Sequence, residues 1–132
     1  MMDILVIGTD DAIRTQIAAG YLAYYAQERL RVETAGISPA LPEPEVVRAM
    51  QSDFIDVSQN LPRAVTDYAG QHFDYVLTVA EVLPADYLSG ITYNHLVHFS
   101  FPVWQTGGSP EQLSRLQEAI KREVLLFLGS LP

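Results

Sequence analysis

The apolar positions of this chain follow two different periods. Asp3-Ile4-Leu5-Val6-Ile7 is a short, β-branched run closed by Gly8-Thr9-Asp10-Asp11, which predicts a buried parallel strand and then a turn. From residue 12 to about 28, Ile13, Ile17, Tyr21, Tyr24 and Tyr25 recur at helical spacing. A helix is expected there, with Asp10 or Asp11 as its N-cap and the three tyrosines packed in the core. Leu30-Arg31-Val32-Glu33-Thr34 alternates as a second strand, ended by Ala35-Gly36-Ile37-Ser38-Pro39. A helix at about 44–51 follows, then a loop over 53–62 with an extended piece near 55–57, then a modest helix over 63–70. Residues 74–80 read as another strong strand and 96–99 as a weaker fourth. After a loop at 101–108, which carries the only Trp, Pro110 opens an amphipathic helix over 111–127. Leu113, Leu116, Ile120, Val124 and Phe127 form its apolar face.

Strands that alternate with helices imply an α/β fold: a parallel sheet with helices on both faces and right-handed crossovers. In such sheets a ligand sits beyond the carboxyl ends of the strands, so the loop after the first strand, 8–13, is where a site is expected. With no repeat, low-complexity tract or linker, residues 1–132 read as one domain.

Composition narrows the chemistry. The formal charge is −8, from 16 acidic and 8 basic residues. The basic residues are scattered, with only Lys121-Arg122 adjacent, which argues against nucleic acid as a partner. No apolar run is long enough to span a membrane and no signal peptide opens the chain, so a soluble cytoplasmic protein without a membrane partner is expected. There is no cysteine, which excludes disulfides, thiolate metal sites and every cysteine mechanism. His72, His95 and His98 lack a metal-binding or catalytic spacing, and no metal or cofactor is expected.

Gly8-Thr9-Asp10-Asp11-Ala12-Ile13-Arg14-Thr15-Gln16, following Ile4 to Ile7, resembles the phosphate loop of low-molecular-weight phosphotyrosine phosphatases and thioredoxin-type arsenate reductases. That loop runs Cys, five residues, Arg, then Ser or Thr, and five residues separate Gly8 from Arg14 here. Thr34-Ala35-Gly36 is similar to the family's Ser-Ala-Gly. Phe73 to Val79 resembles its third strand, and His98-Phe99-Ser100-Phe101-Pro102 its fourth strand and acid loop. The resemblance runs in order along nearly the whole chain. It implies a three-layer α/β/α sandwich around a four-stranded parallel sheet of order 2-1-3-4. In that family, loop amides at a helix N-terminus and an Arg fork hold an oxyanion. A thiolate attacks it and a distant Asp protonates the leaving oxygen.

The residues that carry this chemistry are missing. Gly8 stands in the thiolate's place, Val103 follows Phe101-Pro102 where the acid belongs, and Ala80 stands near a lost redox cysteine. No catalytic residue remains, and the resemblance implies an inactive homologue serving as a binding or regulatory module, with a protein partner. Asp10 and Asp11 add negative charge to the loop. One like-charge contact at about 4 Å costs about 4 kcal/mol at an effective dielectric of about 20, so an oxyanion would be held weakly through Arg14. Either one of these carboxylates turns inward, fills the anion's place and pairs with Arg14, or both cap the first helix. Thr15 and Thr34 either brace the loop, as the family's hydroxyls do, or make ordinary turn hydrogen bonds. Phe101 and Trp104, with Tyr87, form either a partner surface or core. Asp10-Asp11 at a strand end also resembles receiver domains that bind Mg²⁺. Against that, Thr78-Val79-Ala80 occupies the phosphoacceptor's strand end, and the only Lys is Lys121 in the last helix.

Overall fold

The computed structural model describes residues 1–105 and 107–132; Thr106, inside the expected 101–108 loop, lies outside them. Four parallel strands form one sheet: β1 (Met2–Gly8), β2 (Leu30–Gly36), β3 (His72–Thr78) and β4 (Thr92–His98), in the order β2-β1-β3-β4. β1 is central, with Ile4 to Ile7 fully buried, because its near-continuous apolar run suits a strand covered on both faces. Its side chains divide by parity. Ile4 and Val6 face a large core built with α1 (Arg14–Ala26), α2 (Pro44–Gln51) and α3 (Pro110–Ser130). Leu5 and Ile7 face a smaller one with Val65, Tyr68, Val76 and Ile91.

The α/β sandwich and its strand order agree with the expectation, and several boundaries do not. The expected 63–70 helix is a single 3-10 turn, Val65–Tyr68. Arg63 is held against the sheet, its carbonyl accepting from the Gly36 amide at 2.9 Å, and Gly70 at φ +87° ends the turn. β3 begins and ends two residues earlier than expected. β4 starts at Thr92, four residues early, because an edge strand exposed along most of its length carries little apolar pattern. α3 matches its pattern, with Leu113, Leu116, Ile120, Val124 and Phe127 buried, and Ser109 Oγ caps it by accepting from the Gln112 amide at 3.1 Å. Of the three tyrosines only Tyr21 is core. Tyr24 and Tyr25 are 48% and 37% exposed, since α1 turns that side to solvent. No helix among the described residues is long and apolar enough to cross a membrane.

Candidate functional site

The loop between β1 and α1 lies at the carboxyl end of the central strand, and the chain after β2 zips onto it. The amides of Ile37, Ser38, Ala40 and Glu43 donate to the carbonyls of Gly8, Thr9, Asp10 and Ala12 at 2.7–3.2 Å. Gly36 permits this approach. A Cβ there would stand 2.8 Å from the Asp10 carbonyl carbon and 2.9 Å from the Asp11 amide nitrogen.

Asp11 organises the interior of the loop. It is fully buried with φ +59°, a left-handed conformation that Asp adopts more readily than most residues. Thr15 Oγ1 donates to its Oδ1 at 2.7 Å, Thr34 Oγ1 to its Oδ2 at 3.1 Å, and Gln16 Nε2 to its Oδ1 and its carbonyl at 3.1 and 2.9 Å. Burial pushes the Asp11 carboxyl above the ordinary carboxylate range, and the bonds from Thr15, Thr34 and Gln16 oppose that rise.

These contacts replace both expectations for the two carboxylates. Asp11 does turn inward, but its donors come from α1 and β2 rather than from the loop's own amides. An anion in the cradle would accept from those amides. Asp11 therefore staples the loop from beneath instead of standing in the anion's place. It does not pair with Arg14, and among the described residues no carboxylate lies within ion-pair distance of Arg14. Arg14 Nη1 instead donates to the Phe101 carbonyl at 3.4 Å, tying the first loop to the segment after β4. Nor do the carboxylates cap α1. Its N-cap is Ile13, without a side-chain cap, and Asp10 Oδ1 accepts from the Ala12 amide at 3.1 Å, closing a turn one step earlier.

Thr9 and Asp10 are exposed, Gly8, Asp11, Ala12 and Thr15 buried, and Ile13 and Arg14 half-buried. Gly8 leaves no room for a side chain: a Cβ would lie 2.6 Å from Thr15 Cγ2 and 3.4 Å from Val79 Cγ2. Thr15 turns its hydroxyl to Asp11 and its methyl to the position where a thiol-bearing side chain would start.

Val103 is 57% exposed, while Phe101 and Trp104, each 4% exposed, belong to the large core and are not a partner surface. Both rings are apolar and close over α3, and the Trp104 indole N–H donates to the Ser109 carbonyl at 3.1 Å. What that loop shows to solvent is a cavity of about 210 Å³ lined by Pro102, Val103 and Trp104 with Leu116, Gln112 and Arg115 of α3. Tyr87 packs in the smaller core on the other sheet face.

The sequence reading placed Gln16 at the end of the motif without a role and passed over Asn60. Asn60 Nδ2 donates to Gln16 Oε1 at 2.6 Å, which extends the Asp11 network to the loop before Arg63. The available signal was a polar residue, Gln16, lying between Thr15 and the core residue Ile17. Nearby, Thr78 Oγ1 lies 2.6 Å from His98 Nδ1, and Ser100 Oγ lies 3.3 Å from His98 Nε2. Among the described residues no three His, Asp or Glu side chains converge as metal ligands would.

The model of the low molecular weight phosphotyrosine protein phosphatase family matches residues 3–90, two-thirds of the chain, including this loop. The chain belongs to that family. An arsenate reductase solved in its phosphate-binding state aligns over the full length of both chains, with a TM-score of 0.86 and 16% identity. An arsenate reductase from Archaeoglobus fulgidus aligns with a TM-score of 0.67 and 22% identity, covering 96% of this chain and 99% of the other. The Erwinia amylovora tyrosine phosphatase AmsI aligns with a TM-score of 0.71 and 10% identity over 99% and 94%. No curated protein sequence matches significantly. Within the low molecular weight phosphatase family this member lacks the nucleophile of the family's cysteine chemistry. The family's nucleophile is a cysteine, Gly8 occupies its place, and the chain has no cysteine anywhere.

Proposed function

We propose that this family member is catalytically inactive and works as a regulatory module that docks a protein partner. The observation that carries this reading is the interlock of Gly8 with Thr15. The loop is packed and internally bonded around the lost side chain rather than left as an open catalytic cup. A folded scaffold without its chemistry still offers surface, and function follows the site rather than the fold. The small cavity at Val103, in the loop where the family keeps its acid, opens to solvent and is the surface this reading offers to a partner.

The deciding experiment follows the amides of Gly8 to Thr15 in ¹⁵N-labelled protein during titration with phosphate and arsenate, alongside a chromogenic phosphatase assay. The expected result is no turnover and no saturable shift in that loop. Purified partners recovered by in-cell cross-linking should instead shift amides around Val103. Saturable oxyanion shifts confined to residues 8–15, with none from any partner at Val103, would replace this reading with anion sensing.

A further inference from the structure

β2 is an edge strand whose free side is covered only toward its carboxyl end, where Gly36 bridges to Ala64. It pairs with β1 in unbroken register from Leu30 to Gly36, with no proline or bulge. Edge strands of this kind normally carry such a device against pairing with another chain. The Gly36 amide points away from β1, since it donates to the Arg63 carbonyl, whereas Ile37 donates back to Gly8. Backbone groups alternate along a strand, so Leu30, Val32 and Thr34 also point outward. Thr34 already uses its carbonyl, which accepts from the Tyr68 hydroxyl at 3.3 Å. Among the described residues nothing bonds the outward N–H and C=O of Val32. Beside this edge lies a cavity of about 590 Å³, whose rim carries three exposed apolar side chains: Tyr24 (48%), Leu61 (68%) and Phe54 (89%).

We propose that the β2 edge pairs with the β2 edge of a second copy of this chain, antiparallel and two-fold, joining the two sheets into one. Val32 has both of its outward backbone groups unbonded among the described residues, and centring the pair on it sets the register. Val32 meets its own mate as a hydrogen-bonded pair, exchanging two N–H···O bonds. Arg31 then stands opposite the second copy's Glu33, and Glu33 opposite the second copy's Arg31. Residues directly opposite share a face, so the strand is complementary in charge to itself twice over. The other edge offers no such match. Centring β4 on His95 would set Asn94 against the second copy's Leu96 and imidazole against imidazole. Pairing through β2 leaves the loop of residues 8–15 untouched, so the inference is independent of what that loop binds.

Sedimentation equilibrium of the full chain from about 1 μM to about 1 mM tests the pairing. The wild type should dimerise with concentration, and Arg31→Glu and Glu33→Arg should each weaken the dimer by about tenfold or more. The double variant R31E/E33R should recover it. Both residues also serve their own chain, as Arg31 Nε lies 3.3 Å from Asp3 Oδ1 and Glu33 Oε2 accepts from the Tyr68 hydroxyl at 2.9 Å. Loss of those inner contacts would make the double variant the worst of the three, whereas pairing across the two-fold makes it the best. Val32→Pro removes one outward donor at an edge position that tolerates proline, and should also abolish the dimer. Circular dichroism confirms that each variant is folded. A wild type that stays monomeric throughout, a dimer indifferent to both single reversals, or a folded double variant that remains monomeric would overturn the proposal.

Discussion

At Gly8 the decisive quantity is a distance of 2.6 Å between a Cβ that is absent and the Thr15 methyl. Gly8→Cys should therefore cost about 1–3 kcal/mol by overpacking. Adding Thr15→Ser keeps the hydroxyl for Asp11 and deletes the methyl, so the double variant should regain more than half of that loss. Urea unfolding of the four proteins measures the coupling, and additive costs would disprove the interlock. Asp11 gives a second prediction with a definite sign. Its carboxyl is raised by burial, so its contribution to stability is full below the unfolded carboxyl's value of 3.8 and is lost as pH climbs through the folded value. Asp11→Asn does not titrate. It keeps an acceptor for Thr15 and Gln16, and the Thr34 hydroxyl can rotate to accept from the new amide. The variant should gain on the wild type as pH rises, reaching on the order of 1 kcal/mol at neutral pH. Unfolding midpoints from about pH 4 to about pH 8 test this, and an advantage that shrinks with pH would refute it. Only part of this was legible from spacing. The motif located Asp11 and offered Thr15 and Thr34 as braces of the loop, but only the folded chain shows that their hydroxyls, with Gln16 Nε2, donate to the Asp11 carboxylate.

Among the elements, the sequence is clearest where burial is most complete. β1 and α3 stand out because one is covered on both faces and the other on a single stripe, so each shows a clean period. β4 is faint because its exposed positions bear no apolar demand. The expected 63–70 helix is one 3-10 turn, Val65–Tyr68, whose start is tied down by Asp67 accepting from the Ala64 amide at 3.0 Å. The junction of β2 with the β1–α1 loop depends on Gly36. Gly36→Ala would push a methyl into backbone rather than into a flexible side chain, so neither neighbour yields cheaply. The expected cost is about 2 kcal/mol or more, with faster hydrogen exchange at the Ser38 and Ala40 amides that pair with the loop. Unchanged exchange at those two amides would show that the loop does not need the close approach.

Over the whole molecule, charge is the term most easily adjusted from outside. With 16 acidic against 8 basic residues, the folded chain repels itself more than the expanded one does. Its melting temperature should rise as sodium chloride increases from about 10 mM to about 150 mM, where the screening length falls from about 30 Å to about 8 Å. A flat or falling curve would mean that local pairs outweigh the net charge. The contact between Gly8 and Thr15 also bears on descent. Recovering a nucleophile at position 8 by one substitution passes through a less stable protein, and the compensating change at position 15 has no value until the first has occurred. On the expected cost of Gly8→Cys, packing opposes the return of a thiol at position 8 unless position 15 changes with it.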